Sequence, residues 1–520
     1  MSALLLFVRL VHAEFTKFRT VRGWVAGLLL AAAVMTGLGI LPGMSGGCNR
    51  SDSACELPVG PGGEEVTDHF TYVHQALAGD GSLTVRVASL TGDVPPGPAG
   101  QPPLLAPWAK AGLIIKDGTK PGSTYAAVLL TGANGVRMQY DYTHDRAGTT
   151  SVTAPRWLRL TRTGDTITGE ESADGAAWTT VGTARLPGLP ATAQAGLFVT
   201  SPQYAQQVGV SGAMGGPTRA TGAFDHVERQ GGWAGPAWLT DNVGDVDSPP
   251  AQPSDVETPP AQPSGGDSAT SQGGGEAAAV EQNGDTFTLT GSGDIAPAVA
   301  GAAGIGVSIA QTLVGTFAAL LFLVVIGAMF AAGEYRRGLI RTTLTAASGR
   351  ARVLAAKAVV LGAVTFAAGL VAAATVVTVG QRVLRANGVY VHPASTFTQL
   401  RVVVGTAALL AVAAVLALAL GVLLRRGTVA VTAAVVVVVL PYLLAMTVLP
   451  AGAAQWLLRV SPAAAFAVQQ SVPQYPQVAN LYTPANGYFP LPPWAGFAVL
   501  AGWTAVALAA AALLIRRRDA

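Results

Sequence analysis

Glu334-Tyr335-Arg336-Arg337-Gly338-Leu339-Ile340-Arg341-Thr342-Thr343-Leu344 follows a long apolar run, and Arg350, Arg352 and Lys357 carry its basic character into the next one. A basic, amphipathic segment held between two apolar runs of spanning length reads as a short loop at one membrane face. Lysine and arginine in such loops mark the cytoplasmic side.

The whole chain supports that reading. Half of its 520 residues are hydrophobic and only 12% are charged. The mean hydropathy is +0.43. Six runs approach or exceed the ~20 apolar residues that cross a bilayer. They cover 23–44, 304–332, 356–380, 402–424, 428–449 and 494–515, and the fourth and fifth are separated only by Arg425-Arg426-Gly427, a tight turn. The fold class expected is a polytopic α-helical membrane protein of six transmembrane helices.

Basic residues in the short flanks set the orientation. One side collects Arg9, Lys17, Arg19, Arg22, Arg336, Arg337, Arg341, Arg350, Arg352, Lys357, Arg425, Arg426 and Arg516 to Arg518. The short loops of the other side hold only Arg382, Arg385, Arg401 and Arg459. A plasma-membrane protein with both termini cytoplasmic follows, with residues 45–303 outside. The first 22 residues place Leu4, Phe7, Val8, Val11, Phe15 and Phe18 near one face, which predicts an amphipathic helix lying along the cytoplasmic interface. No expected span carries an ionisable residue in its interior, which argues against a proton- or sodium-coupled carrier.

The outer insert differs in kind. From about 66 to 230 it reads as short strands between turn signals: AGLIIKDG, TYAAVLLTG, GVRMQYDYT, and RWLRLTRTGDTITG with a Gly164-Asp165 turn. An antiparallel all-β sandwich inserted between helices 1 and 2 is the expected solution. Residues 235–283, with PPAQPS at 249–254 and 259–264, read as a disordered linker, and 286–297 regains strand character. Cys48 and Cys55 lie in this outer segment and are expected to form one short disulfide; the alternative is two free thiols in a loop. Trp157 to Arg162, Gly164-Asp165, Ser172-Ala173-Asp174-Gly175-Ala176-Ala177-Trp178 and Ala223 to Val227 resemble the concanavalin-like (laminin-G-like) β-sandwich superfamily. The resemblance covers roughly 68–230. It implies a domain of glycan-binding, adhesive or structural kind, with a cell-wall glycan as the partner to consider. Asp174-Gly175 reads as a hairpin turn.

Catalytic signatures are missing. The dipeptide Gly-Lys never occurs, so there is no Walker A loop, and no HExxH or CxxC metal pattern is present. His69 and His74 with Asp68 read as surface residues. No basic patch interleaved with aromatics points to nucleic acid. The chain is expected not to be an enzyme and to hold no cofactor of its own.

The six spans, the interfacial N-terminal helix and the loop EYRRGLIRTTLTAASGRARVLAAK together resemble the ABC-2 type permease family over residues 1–44 and 304–520. Glu334, Gly338 and Lys357 match the family pattern; Leu339 stands where the family usually has Thr, and Ser348-Gly349 where Pro is common. The resemblance implies the permease subunit of an ATP-driven ABC transporter, an exporter, working with a separate cytoplasmic ATPase that binds the ATP and with a second permease copy or paralogue, in membrane lipid. Loop 333–357 becomes the expected contact with the ATPase, and Glu334, Tyr335, Arg336, Arg337, Gly338, Arg341, Arg350 and Arg352 are its candidate coupling residues. The alternative is a membrane-anchored glycan or adhesion receptor acting through the outer sandwich.

Overall fold

The computed structural model describes residues 3–41, 57–93, 105–208, 212–235, 237–244, 279–301, 306–336 and 350–517. Among the described residues, six helices are long and apolar enough to cross a membrane. They are span 1 (Arg22–Ile40), span 2 (Gly315–Tyr335), span 3 (Ala351–Ala386), span 4 (Thr396–Leu424), span 5 (Gly427–Thr447) and span 6 (Pro493–Arg516). An N-terminal helix, Ala3–Thr20, precedes span 1 and is separated from it by the extended residue Val21.

Two boundaries differ from the sequence expectation for physical reasons. Span 2 starts at Gly315 rather than near 304, because Ser308 and Gln311 form a reciprocal capping box that starts a separate short helix, Ile309–Thr312. Span 3 runs past 380 through a π-helical turn, Val376–Gly380, to Ala386. Span 5 has a similar turn at Val435–Val439, just before Pro441, where the missing proline N–H is absorbed locally.

Span 4 is the axis of the bundle. Its Gly421 lies against Ala328 of span 2, where a Cβ would stand 2.5 Å from the Ala328 carbonyl oxygen. Gly327 of span 2 meets Ala414 of span 4 in the same way, at 2.4 Å. Small residues at both points let the two backbones touch, the usual device for helix contact in lipid. Between spans 5 and 6 the chain folds back into the bundle as a helix, Ala451–Val460, and a 3-10 segment, Pro462–Gln469, all eight residues of which are buried. Gln469 Nε2 donates to the Thr316 hydroxyl (3.0 Å) and the Thr406 hydroxyl (3.3 Å), and Trp503 Nε1 donates to the Val460 carbonyl (2.9 Å). The apolar stretch Ala463–Val468 is far too short to register as a span from sequence.

The β-domain inserted between spans 1 and 2, expected from the sequence to be the outer domain, is a two-layer sandwich. The long strand Phe70–Asp93 bends at Gly79 (φ +71°) and serves both layers. Its first half lies between Leu239–Val243 and Thr192–Thr200 in the front sheet, which continues through Lys110–Lys116, Tyr125–Thr131, Val136–Tyr140 and His144–Ala147. Its second half lies between Arg219–Trp233 and Arg156–Thr163 in the back sheet. That sheet extends through Thr166–Ser172 and Thr179–Arg185 on one side and through Thr286–Gly291 and Ala279–Asn283 on the other. Alternate residues such as Val73, Leu113, Val128, Leu158, Leu197 and Phe224 fill the space between the layers.

The linker expected over 235–283 therefore carries a strand near each end. Trp238 supplies the reason at one of them: it is buried and packs edge-on against Phe287, which ties Leu239–Val243 to the sandwich.

The front sheet is covered on its other face as well. Strands Val66–Asp68 and Ile295–Pro297 pair antiparallel as a short ribbon, and Phe70, Tyr72, Ile114, Tyr125, Tyr142 and Phe198 cluster with Val66 and Ile295 of that ribbon. This explains why every residue of Lys110–Lys116 and Tyr125–Thr131 is buried, where a one-sided sheet would alternate. Lysines at both ends of one strand clamp the ribbon. Lys110 Nζ meets Asp294 Oδ1 at 2.5 Å and donates to the Ile295 carbonyl at 2.8 Å. Lys116 Nζ meets Asp68 Oδ2 at 2.8 Å, and the same carboxylate accepts from the Tyr142 hydroxyl (2.7 Å) and the Gly122 amide (2.8 Å). Burial pulls the Lys116 ammonium below the ordinary lysine value, against the opposing pull of Asp68.

The domain rests on loops at one end of the bundle. Glu65 lies 3.6 Å from His392, Asn480 Nδ2 donates to the Ala300 carbonyl (3.0 Å), and Gln477 Nε2 donates to the Thr143 carbonyl (3.3 Å).

Candidate functional site

The two ends of the basic loop converge on the N-terminal helix. Glu334 is in the last turn of the span 2 helix, and Lys357 is two turns into the helix Arg350–Thr375. Lys357 Nζ donates to Glu334 Oε1 (2.6 Å) and to Glu14 Oε2 (2.8 Å) of the N-terminal helix. Lys17, one turn beyond Glu14, donates to Glu14 Oε1 (2.9 Å) and reaches Glu334 Oε1 at 3.4 Å. Two carboxylates and two ammonium groups thus close a neutral ring across three helices. Lys357 and Glu14 are almost wholly buried, with side chains 4% and 3% exposed, whereas Lys17 is 43% exposed.

The aromatic floor beneath the ring explains its position. Lys357 Nζ sits 4.9 Å from the Phe330 ring centre, and Phe18 and Trp24 pack edge-on against the same ring at 5.8 and 6.0 Å. Phe18 faces inward because the N-terminal helix is amphipathic; the exposed Leu5, Val8 and Phe15 cover its other apolar positions. Burial lowers the charged form of Lys17, but hydrogen bonding and charge from Glu14 and Glu334 outweigh it and hold the Lys17 pKa above the ordinary lysine value. Glu334 Oε2 is buried and has no hydrogen-bond partner among the described residues, so one acceptor of the ring is unused. Beside the ring, Arg425 closes span 4 in the left-handed region (φ +57°) and lies over the Tyr335 ring at 5.2 Å.

Of the residues expected from sequence to serve the loop, Glu334 and Tyr335 are thus in defined contacts, and Arg352 is exposed. Arg336 and Arg350 belong to the flanking helices by their backbones. Arg337, Gly338 and Arg341 lie outside the described residues, as do Cys48 and Cys55. Sequence reasoning missed Glu14, counted Lys17 only as a topology marker, and gave Lys357 as a topology marker and a match to the family pattern but not as a coupling residue. A signal was available: Glu14 is the only acidic residue in the first 22, and Glu334 the only one between 334 and 357. A lone carboxylate in each of two basic segments marks two counter-charges that must be held somewhere.

Two outer-domain expectations have definite outcomes. His74 is not a surface residue: it is 2% exposed, with Nδ1 2.9 Å from Gln194 Oε1 and Nε2 2.8 Å from Asp241 Oδ2. Its place on the strand Phe70–Asp93, under the front-face cover, buries it. No group of three or more metal-ligating side chains occurs among the described residues. Asp174-Gly175 is a turn, with Gly175 at φ +78°, and Asp174 accepts from the amides of Ala177 and Ala176 at 2.9 Å.

Known proteins bear on this geometry. No curated protein matches the chain. Among solved structures, a functionally unknown protein from Saccharomyces cerevisiae is 15% identical, with 30% of this chain and 71% of that one covered and a TM-score of 0.18. SCP-B, a member of the eqolisin family of peptidases in complex with the tripeptide Ala-Ile-His, is 10% identical, with 43% and 98% covered and a TM-score of 0.23. Neither likeness reaches the level at which a fold can be carried over. The profile of the family described as ABC-2 family transporter protein matches residues 200–520, more than half of the chain, including spans 2 to 6 and both ends of the basic loop. The chain belongs to the ABC-2 family of transporter proteins.

Proposed function

We propose that this permease subunit is an exporter driven by a separate cytoplasmic ATPase, and that the ring Glu14–Lys357–Glu334–Lys17 is where the force enters the spans. The ring carries the proposal. A loop that receives a push must be anchored rigidly at both ends. Here both ends are tied by ion pairs to each other and to a third helix, all on the side where basic residues collect. Such buried pairs are costly to break singly, so the three helices move as one block. The block would turn a displacement of loop 337–349 into a tilt of spans 2 and 3 together. The unused acceptor at Glu334 Oε2 is available to a donor brought by the ATPase or the loop.

In this reading both termini are cytoplasmic and residues 45–303 are extracellular. The working unit holds two permease and two ATPase subunits. The outer sandwich is of the concanavalin-like kind. A glycan receptor acting through the front sheet is the weaker reading, because that face is filled by the chain's own ribbon.

The test is purification of the full chain in mild detergent with its associated ATPase, then ATP-driven transport in vesicles for Glu334→Gln and Lys357→Met. The expected result is an intact complex in which ATP hydrolysis continues while transport falls at least about tenfold, equivalent to roughly 1.4 kcal/mol. Transport at the parental level in both variants, with the ATPase bound, would refute the role of the ring. Failure to find any copurifying ATPase would refute the partner.

A further inference from the structure

We propose that a groove between spans 1 and 2 is a binding site for one acyl chain of an anionic phospholipid, whose headgroup is held by Arg19 and Arg22. This rests on the membrane-spanning fold, not on the coupling role of the charge ring.

The groove has a volume of about 600 Å³ and is walled by Val21, Gly23, Trp24 and Gly27 on one side and by Phe322 and Val325 among others of span 2 on the opposite side. The size lies within the ~300–1,000 Å³ range of small-molecule sites. Every side chain lining it is apolar. Its depth comes from missing side chains: a Cβ on Gly23 would meet nothing within 4 Å, while Gly27 lets Ile326 approach to within 2.9 Å of the corresponding position.

Charge selects the occupant. The lining of the groove reaches Val21, at the break between the N-terminal helix and span 1, and Arg19 and Arg22 on either side of that break are both exposed. No acidic residue lies between Glu14 and the end of span 1. Glu14 itself points away, into the ring with Lys357 and Lys17. The exposed Leu5, Val8 and Phe15 place the N-terminal helix at the depth where headgroups meet acyl chains. An apolar slot beside two guanidinium groups that have no ion-pair partner among the described residues fits a lipid with a tail and a negative head better than a neutral lipid.

The site also touches the ring. Trp24 forms its wall and packs on Phe330, and Phe330 supports Lys357. An occupied groove therefore fixes the side chain on which the ring rests.

The test uses Trp24 as the reporter in the full chain. The protein is reconstituted in phosphatidylcholine vesicles containing increasing fractions of brominated phosphatidylglycerol or brominated phosphatidylcholine, and the Trp24 signal is the quenching lost in Trp24→Phe. Each arginine beside an anionic lipid is worth roughly fivefold in affinity, so half-quenching should occur at a mole fraction at least about tenfold lower for the brominated phosphatidylglycerol. Arg22→Gln should remove about fivefold of that preference, and Gly23→Leu, whose Cβ would stand in open space and whose side chain would occupy the slot, should abolish the saturable component. Native mass spectrometry of detergent-purified protein gives a second readout, with phosphatidylglycerol retained by the parent chain and lost in Gly23→Leu. Equal, unsaturable quenching by both lipids would overturn the proposal. So would absence of quenching by either with rapid interchain cross-linking of Gly23→Cys, which would assign the groove to a second copy of the chain.

Discussion

Replacing Lys357 by methionine isolates the energetics of the charge ring. Methionine matches the apolar stem of lysine out to Cε and lacks only Nζ, so the substitution removes the charge, its hydrogen bonds and its contact with the Phe330 ring while changing little volume. It leaves Glu14 and Glu334 facing each other with Lys17 as their common counter-ion, at 2.9 and 3.4 Å and 43% exposed. Removing one partner of a buried ion pair costs about 3–5 kcal/mol, and the part-exposed Lys17 recovers some of that, so about 3 kcal/mol is expected. That equals roughly a 150-fold shift toward the state in which the N-terminal helix has left the bundle. The triple variant Glu14→Gln, Glu334→Gln and Lys357→Met strands no buried charge, leaving only the part-exposed Lys17 without its carboxylates, and should be less damaged than the single one. Backbone hydrogen exchange of the segment around Glu14 in the reconstituted full chain measures the opening, and thermal unfolding provides the control. A change under about 0.5 kcal/mol in the single variant, as for an ordinary surface site, would refute the reasoning. A triple variant more destabilised than the single one would do so too.

Other consequences follow from the same geometry. Asp68→Ala leaves the Lys116 ammonium, the Tyr142 hydroxyl and the Gly122 amide without their buried acceptor and should destabilise the outer domain by about 3–5 kcal/mol, read as a lower midpoint for unfolding of that domain by urea. Asp174 should titrate at about 2, because the Ala177 and Ala176 amides and then Ser172 stabilise its carboxylate. Its contribution to the turn is fully present above the ordinary aspartate value of 3.8 and is lost as pH falls toward 2. The Asp174 carboxyl carbon resonance, assigned through Asp174→Asn, should show no protonation near pH 4. Gly327→Val sets a branched side chain against the Ala414 carbonyl and should cost at least about 1–3 kcal/mol by forcing spans 2 and 4 apart, seen as a lower thermal midpoint; an unchanged midpoint would show that the two helices are not packed as described.

The sequence exposes local regularities well and remote pairings poorly. Each span is built on a continuous apolar run, so helices and runs coincide over most of their length; the ends differ more where Ser308 and Gln311 interrupt the lead-in to span 2, where span 3 continues to Ala386 and where span 4 begins at Thr396. The strands around Ile114 and Val128 were equally plain, being apolar runs between turn residues. The covered face was not, since a continuous apolar strand does not say what lies above it. Glu14 and Lys357 meet across 343 residues, and although Glu14 stands out as the lone acidic residue of its helix, nothing in its own segment names Lys357 as its partner. The segment Pro462–Gln469 is buried through contacts with spans 4 and 6, not through length or periodicity. In each case the missing information is a partner, and composition within a window carries none.

The clamp on the front sheet also imposes an order on biosynthesis. Lys116 becomes available after Asp68 has already been made, 48 residues earlier, so that half of the clamp can close early. Lys110 must wait for Asp294, 184 residues later, which at ~5–20 residues per second is roughly 10–40 s of elongation. Throughout that interval Phe70, Tyr72 and Tyr125 form an uncovered aromatic surface on a nascent chain, joined by Phe198 once it is made. Ribosome pausing or truncation before Asp294 therefore yields a domain with one lysine lacking its counter-charge and one sheet face left adhesive, a substrate for quality-control proteases rather than a smaller functional module.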